Sequence, residues 1–134
     1  MQSLQLKRVR FCKEADSWLR TLKSRTGITP NLLCRLGYCL SLEEMTLPDL
    51  AKYPEDSARE INRYTLLGEY DAAYEALLKQ RLSDAGHEEL TTELLDDQFR
   101  AHMNRGVMLL AARMRGLGAL DELSSEAGDL AEAD

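Results

Sequence analysis

Apolar residues recur at intervals of three and four along much of this chain, the spacing that places them on one face of an α-helix. Only 6% of the 134 residues are aromatic and three are prolines, so the composition also favours helix. We therefore predict a mainly α-helical fold with one core. The expected buried stripes are Ala15, Trp18, Leu19 and Leu22; Leu32, Leu33, Leu36, Cys39 and Leu40; Tyr70, Ala73, Tyr74, Leu77, Leu78 and Leu82; and Leu95, Phe99, Met103, Gly106, Leu110 and Met114.

Glycine and proline mark the boundary between the first two helices. Gly27 can take the left-handed conformation that closes a helix, and Pro30 fits the first position of the next one, where no N–H is needed. Thr29 is predicted to cap this second helix by accepting a hydrogen bond from a first-turn amide. Gly37 either allows close approach by another backbone or is tolerated at the surface.

The remaining segments are less regular. Residues 4–11, LQLKRVRF, predict a short strand or extended arm, and residues 61–67, INRYTLL, fit a strand or a helix. Residues 41–58 predict a connection with a short helical turn. An arm followed by two helices is the element order of a ribbon-helix-helix DNA binder, in which two chains pair their arms, so this interpretation predicts a homo-oligomer.

Charge is unevenly distributed along the chain. The net charge is −6, yet the first forty residues hold eight Lys or Arg against two acidic residues. Clustered basic residues neutralise the phosphates of a nucleic acid, although such a run is often only a solvated surface. We predict one helical DNA-binding domain at residues 1–118, followed by an acidic tail at 119–134 that is disordered.

The candidate DNA contacts lie in the arm, in the first helix and at the start of the second helix, whose free amides can bind a phosphate. Side chains suited to reading base edges are few among them, so sequence preference is expected to come from partner subunits. Residues 99–116 carry basic residues and no acid, and predict a second basic strip. The candidate site residues are Lys7, Arg8, Arg10, Lys13, Arg20, Lys23, Arg25, Thr29 and Asn31.

The sequence carries no strong enzyme signature. It has no Gly-rich phosphate loop, no G-x-S-x-G and no H-E-x-x-H, and the neighbouring Asp96 and Asp97 fit the acids of a helix start. Two histidines and three scattered cysteines give no zinc spacing, so we predict no catalytic residue, metal or cofactor. Cys12, Cys34 and Cys39 are expected to be reduced core thiols. Without a signal peptide or an apolar span of about 20 residues, a cytoplasmic protein with no membrane partner is expected.

Three stretches resemble the DndE family of DNA phosphorothioate modification proteins. They are RTGITPNLLCRLGYCLSLEE at 25–44, INRYTLLGEYD at 61–71 and HMNRGVMLLAARM at 102–114. The resemblance implies a non-catalytic, DNA-binding member of a bacterial system that replaces a non-bridging phosphate oxygen with sulfur, beside cysteine desulfurase, sulfur-transfer and ATPase subunits. It also implies a tetramer that prefers nicked duplex, for which the lower cost of bending at a nick offers a reason.

Two other function classes stay open. One is a ribbon-helix-helix transcriptional repressor that binds an intact, palindromic operator through its arm. The other is a structural adaptor whose helices at 70–84 and 92–116 dock a partner enzyme, with the basic residues serving solubility. A nickase is least favoured, because no convergent set of acid and base is visible.

Overall fold

The computed structural model describes residues 2–133, with side chains described as far as Leu117. It has the mainly helical fold and the short N-terminal strand that the sequence predicts. The ambiguous segment 61–67 contains the end of a strand and a short helix. The elements are β1 (Arg8–Arg10), α1 (Lys13–Thr26), α2 (Pro30–Glu43), β2 (Glu60–Asn62), α3 (Arg63–Leu67), α4 (Asp71–Asp84) and α5 (Thr92–Ala133), with 3-10 turns at Leu50–Lys52 and Gly68–Tyr70.

The turn between α1 and α2 forms as predicted in its backbone and differs in one side chain. Gly27 has φ of 74° and its N–H donates to the carbonyl of Lys23, which closes α1. Pro30 is the first residue of α2. The prediction that the Thr29 side chain caps α2 is wrong, because its hydroxyl donates to Oδ1 of Asn31 and accepts no cap hydrogen bond.

Helices α2 and α5 cross with their backbones in contact. A Cβ atom added to Gly37 would lie 2.5 Å from the backbone C and O of Gly106, and a Cβ on Gly106 would meet the backbone of Gly37 more closely still. Gly37 therefore permits close approach, one of the two roles that its position left open. Beside the crossing, the buried ring of Tyr38 packs against Phe99 and His102, with ring centroids 5.3 and 6.1 Å away.

The crossing decides which face of α2 is buried. The predicted stripe is partly wrong, because Leu32 and Leu36 are 44% and 52% exposed and Cys39 is also exposed. Contact at Gly37 turns the helix by about one residue from the leucine stripe, which amounts to about 100°. The face that meets the core consists of Leu33, Cys34, Gly37, Tyr38 and Ser41.

The other predicted stripes divide in the same way. The stripe of α5 is confirmed, since Leu95, Phe99, Met103 and Leu110 are buried. In α4 only Leu78 and Leu82 are fully buried. Of the other residues predicted to be buried there, Tyr74 is partly buried and Tyr70, Ala73 and Leu77 are exposed. The stripe of α1 is confirmed at Ala15, Leu19 and Leu22, and Trp18 is partly buried.

The N-terminal arm pairs within its own chain. Strand β1 is antiparallel to β2, with Val9 opposite Ile61. The pairing extends beyond both strands, because Arg63 N–H donates to the carbonyl of Lys7 at 2.8 Å and Phe11 N–H to that of Arg59 at 3.1 Å. One edge of the arm is therefore already occupied.

Side chains of α5 occupy the other edge. Asn104 accepts from Cys12 N–H at 2.8 Å and donates to the carbonyl of Arg10 at 3.2 Å. Asp96 Oδ1 accepts from the N–H groups of Gln5 and Leu6 at 2.8 and 3.1 Å. The arm-to-arm pairing that the ribbon-helix-helix interpretation expects is therefore wrong here: β2 and α5 hold the arm instead.

The sequence predicts that the last helix ends near residue 116, but α5 continues to Ala133. Residues 117–133 contain Leu, Ala and Glu and no proline, which suits helix. Side chains from residue 118 onward, with residue 134 as a whole, lie outside the described residues. The division at residue 118 and the disorder of 119–134 stay predictions.

Two of the three cysteines are core thiols. Cys12 and Cys34 are buried, and burial raises the pKa of the Cys34 thiol to about 12. Cys39 is exposed, contrary to expectation, because it lies on the outward face of α2. No helix of the described residues is both long and apolar enough to cross a membrane.

Candidate nucleic-acid interface

The arginines of the arm are paired with carboxylates. Arg8 lies 3.1 Å from Glu60, and Arg10 lies 3.5 Å from Glu60 and 4.0 Å from Glu55. These distances hold the two guanidinium groups against neighbouring acids and reduce the local positive potential. Both side chains remain about half exposed, so they can still reach solvent.

The cleft beside the arm contains further acids. Arg8, Arg10 and Arg100 line it together with Asp96 and Asp97. Glu55 also lines it and lies 3.3 Å from Arg100. The sheet side of the molecule therefore has little uncompensated positive charge, although the sequence of the arm is strongly basic.

The basic residues of α1 are less compensated. Lys13, Lys23 and Arg25 are exposed, and their charged side-chain nitrogens form no ion pair within 4 Å among the described side chains, although Asp56 accepts from the backbone N–H of Lys13 at 2.8 Å. Arg20 is exposed but bonds to Asp16 at 3.0 Å, an acid that Arg59 also contacts. We call Lys13, Arg20, Lys23 and Arg25 the α1 basic cluster.

Helical geometry and the α1–α2 turn set the arrangement of this cluster. Lys13, Arg20 and Lys23 are spaced by seven and three residues, which places them on one face of α1. Arg25 follows in the last turn. Because Gly27 reverses the chain there, this last turn lies next to the first turn of α2 and its positive dipole end.

The two polar candidates at the start of α2 bond to each other. Besides receiving the Thr29 hydroxyl, Asn31 donates from Nδ2 to the carbonyl of Thr65 at 3.5 Å. Thr29 is exposed and Asn31 is partly exposed. Both are therefore near the α1 basic cluster in the fold, while Lys7 lies away from it, exposed in a cleft between the arm and α3.

The second predicted strip, on α5, is mostly interior. Arg105 donates to the carbonyls of Ser41 and Thr46 at 2.8 and 2.9 Å, and Arg100 donates to that of Tyr53. Two members of the strip, Arg113 and Arg115, are exposed. The Arg115 guanidinium stacks over Trp18 of α1, 4.8 Å from the ring centroid, and so extends the α1 side of the molecule.

His102 cannot supply positive charge near neutral pH. It is fully buried, and its Nδ1 lies 2.7 Å from the Ser41 hydroxyl, which accepts from Arg105. Burial, then the charges of Arg105 and Arg81, lower its pKa to about 3. The imidazole is a neutral part of the core beside the α2–α5 crossing.

Sequence analysis assigned no role to Tyr64, whose side chain is unusually exposed. It is 81% exposed, although Leu66 and Leu67 of the same short helix are fully buried. It shares a cleft with Lys7. The sequence feature that could have indicated an exposed ring is the position of Tyr64 where a strand changes to a helix. This feature is a weak predictor, because Tyr is also common inside strands.

The described residues contain no group of three or more His, Cys, Asp or Glu that could hold a metal ion. His87, the second histidine, is exposed in the connection after α4. What the surface offers is therefore cationic and hydrogen-bonding chemistry, concentrated on α1 and suited to polyanion binding.

Comparison with known proteins identifies the family. Residues 8–116 match the family model described as DndE, DNA sulphur modification protein DndE. No curated protein sequence matches the chain. A crystal structure of DndE from Escherichia coli, involved in DNA phosphorothioation modification, has 27% identity and a TM-score of 0.65, over 81% of this chain and 99% of that one. A structure of a DndE mutant involved in DNA phosphorothioation has 25% identity and a TM-score of 0.61, over 82% and 99%. The chain belongs to the DndE family of DNA sulphur modification proteins.

Proposed function

We propose that this protein is a non-catalytic, DNA-binding accessory of a cytoplasmic DNA phosphorothioate modification system and that it binds duplex DNA, preferably nicked. The observation that carries the proposal is the α1 basic cluster, in which Lys13, Lys23 and Arg25 are exposed and form no ion pair among the described side chains. Exposed cations of a protein take the place of counterions at the DNA phosphates, and the release of those counterions favours binding. Family membership supplies the process in which such binding takes place.

The geometry supports phosphate contact more than base reading. Lys and Arg side chains near a helix N-terminus position a duplex through its backbone. The cluster contains no Asn or Gln, the side chains that pair with adenine edges, and Asn31 beside it already bonds to Thr29 and Thr65. Sequence preference, where the modification needs it, would then come from the other subunits.

A homo-oligomer, with a tetramer favoured, is part of the proposal, but its support differs from arm pairing. Leu32 and Leu36 are exposed on α2, and Met45 is 94% exposed next to α2. Leu40 and Met45 line a groove of about 720 Å³ against Leu109 and Leu117 of α5, and the charged residues Glu43, Glu44 and Arg113 complete its lining. Exposed apolar side chains with charged residues around them favour burial against another protein surface, here a second copy.

The same apolar surface is what favours the adaptor as a second candidate function, with a partner subunit in place of a second copy. The repressor interpretation loses its main support, because both edges of the arm are held within the chain. The two remaining candidates differ in one property: only the accessory requires DNA binding by this chain.

The test is a salt titration of binding to two duplexes that differ by a single nick, with the mass of the free protein measured by light scattering. The wild-type protein is expected to bind both, the nicked one more tightly. Changing Lys13, Lys23 and Arg25 together to Ala should lower the slope of log K against log salt by about three.

The matched control changes three exposed acids that form no ion pair among the described side chains, Glu69, Glu88 and Glu93, to Gln, which alters net charge by the same amount in the opposite sense without touching the cluster or the groove. This variant should keep the wild-type slope. Failure of the wild-type protein to bind either duplex at low salt would contradict the DNA-binding proposal and favour the adaptor. An unchanged slope in the α1 variant would place the DNA elsewhere on the protein.

A further inference from the structure

A cleft of about 430 Å³ lies between the N-terminal arm and the segment that contains α3. It is separate from the α1 basic cluster, none of whose members lines it. Its lining combines polar, basic and aromatic groups, a mixture that suits a ligand with a planar ring and a negative charge. The lining residues are Leu4, Gln5, Leu6, Lys7, Asn62, Arg63, Tyr64, Gly68 and Asp71.

The floor of the cleft is held by an ion pair. Arg63 bonds to both carboxylate oxygens of Asp71, at 2.7 and 2.6 Å, and donates to the carbonyl of Leu4 at 2.8 Å. The hydrogen bonds that Arg63 donates to the Asp71 carboxylate raise the pKa of the Arg63 guanidinium. Two further carboxylates beside the cleft, Glu75 and Asp96, accept from the backbone N–H groups of Leu4, Gln5 and Leu6, and the exposed cation of the lining is Lys7.

The position of Tyr64 is fixed although its ring is in solvent. Its N–H donates to Oδ1 of Asn62 at 2.8 Å, and its carbonyl accepts from the N–H of Gly68. Leu66 and Leu67 anchor the same helix in the core. The backbone is therefore held on both sides of the tyrosine, and the ring, 81% exposed, is presented without the cost of ordering a loop.

We propose that this cleft binds one unstacked nucleotide of interrupted DNA, with the base stacked on Tyr64 and a phosphate at Lys7. The inference rests on the proposed DNA-binding function and gives a physical source for a preference for nicked duplex. In an intact duplex each base is covered on both faces by its neighbours, so an aromatic ring has no face to stack on. A nick lets a terminal nucleotide leave the stack at low cost, and stacking on an aromatic side chain tolerates any base.

A competing occupant is a second copy of the chain, because an exposed tyrosine also suits a protein interface. The exposed ammonium group of Lys7 favours the nucleotide, because it forms no ion pair among the described side chains and can meet a phosphate. Gln5 Nε2 donates to Ser3 and Asn62 Oδ1 accepts from Tyr64 N–H, so the groups left for a base edge are Gln5 Oε1 and Asn62 Nδ2.

The experiment measures the affinity of the full chain for three duplexes: intact, singly nicked, and nicked with 2-aminopurine at the terminal position of the nick. Tyr64→Ala should weaken binding to the nicked duplex by about tenfold, the scale of one lost base–aromatic stack, and leave binding to the intact duplex unchanged. Tyr64→Phe should retain the preference, and Tyr64→Leu, which keeps an apolar side chain without an aromatic face, should lose it. With the wild-type protein the 2-aminopurine fluorescence should change on binding, and with Tyr64→Ala it should not.

Tyr70→Ala is the matched control, because Tyr70 is the other exposed tyrosine among the described side chains and lies outside both the cleft and the groove. It should leave both affinities unchanged. A nick preference that survives in Tyr64→Ala and Tyr64→Leu would overturn the inference while leaving DNA binding intact. A lower mass of Tyr64→Ala in light scattering would also overturn it, by assigning the ring to an interface between copies. Absence of wild-type binding to all three duplexes would instead remove the proposed function on which the inference depends.

Discussion

The α2–α5 crossing and the outer face of α1 differ in what surrounds their residues. At the crossing, Gly37 and Gly106 bring two backbones together, and His102 and Tyr38 are fully buried beside them. On α1, Lys13 and Lys23 extend into solvent. The crossing is closely packed and its side chains are buried from ligands, while the outer face of α1 contributes little packing and carries exposed cations. Folding and binding should therefore be separable by mutation.

The largest expected effect is that of Gly106→Ala. Its Cβ would overlap the backbone C and O of Gly37, which cannot move without shifting the whole of α2. We expect the free energy of unfolding to fall by about 3 kcal/mol or more, at or beyond the upper range for overpacked cores. Chemical denaturation followed by circular dichroism measures it.

Gly116→Ala is the control for this substitution, because Gly116 lies in the same helix and a Cβ there would meet no atom within 4 Å. Alanine should be neutral or stabilise the helix by up to about 1 kcal/mol. If Gly106→Ala were as stable as Gly116→Ala, α2 and α5 would not be in backbone contact, and the crossing would tolerate substitution as well as the α1 face does.

A smaller loss is expected where α5 holds the arm. Asn104→Ala removes the acceptor of Cys12 N–H, which is buried, and the donor to the carbonyl of Arg10, which is partly buried. The expected loss is about 2 kcal/mol, mostly from the unsatisfied backbone groups. Hydrogen exchange should show faster exchange at Cys12 and in β1. Asn31→Ala, whose bond to Thr65 is 3.5 Å long, should change stability little, and equal effects in the two variants would contradict the role of Asn104.

His102 predicts a pH dependence of stability. Its pKa is lowered from 6.5 to about 3 in the folded protein. Between these values the unfolded chain binds a proton that the folded chain does not, so stability is full above about pH 6.5 and falls as the pH is lowered toward 3. The slope from this one group reaches about 1.4 kcal/mol per pH unit at most. Denaturation at several pH values should show a shallower decline for His102→Gln than for wild type, and parallel profiles would show that His102 is not buried as a neutral group.

Sequence patterns predicted the helices better than their orientation. The α1 stripe, the left-handed Gly27 and the Pro30 start depend on neighbours in the chain, and they are confirmed. Which face of α2 is buried depends on Gly106, about seventy residues away, so the visible leucines misidentified it. The partners of the arm are β2 and Asn104, which lie fifty or more residues away in sequence.

The sequence predicts how many basic residues the candidate site contains, but not how many of them are left without a neighbouring acid. The excess of basic residues in the first forty positions is plain from the sequence, but Glu60 and Glu55, which pair with Arg8 and Arg10, come from a later segment. The exposure of Tyr64 was not predictable either, because it depends on how α3 is anchored by Leu66 and Leu67. Local sequence gives the charges, and tertiary pairing decides which of them are available.

Substitutions of the exposed basic residues are expected to change stability least. The basic residues of α1 and those of the arm should nevertheless differ in their effect on DNA binding. The triple change of Lys13, Lys23 and Arg25 to Ala should leave stability within about 0.5 kcal/mol of wild type, as is usual for exposed residues. The double change of Arg8 and Arg10 to Ala removes exposed ion pairs and should cost no more than about 1 kcal/mol.

The two variants should differ in binding. The α1 triple variant is expected to lose salt dependence in proportion to the cations removed, whereas the arm variant should lose less than two units of slope, because acids already neutralise its arginines. Thermal denaturation and salt titration of the same preparations measure both properties. A full loss of two units in the arm variant would mean that DNA displaces Glu55 and Glu60 from the arginines, and the footprint would then extend from α1 across the arm.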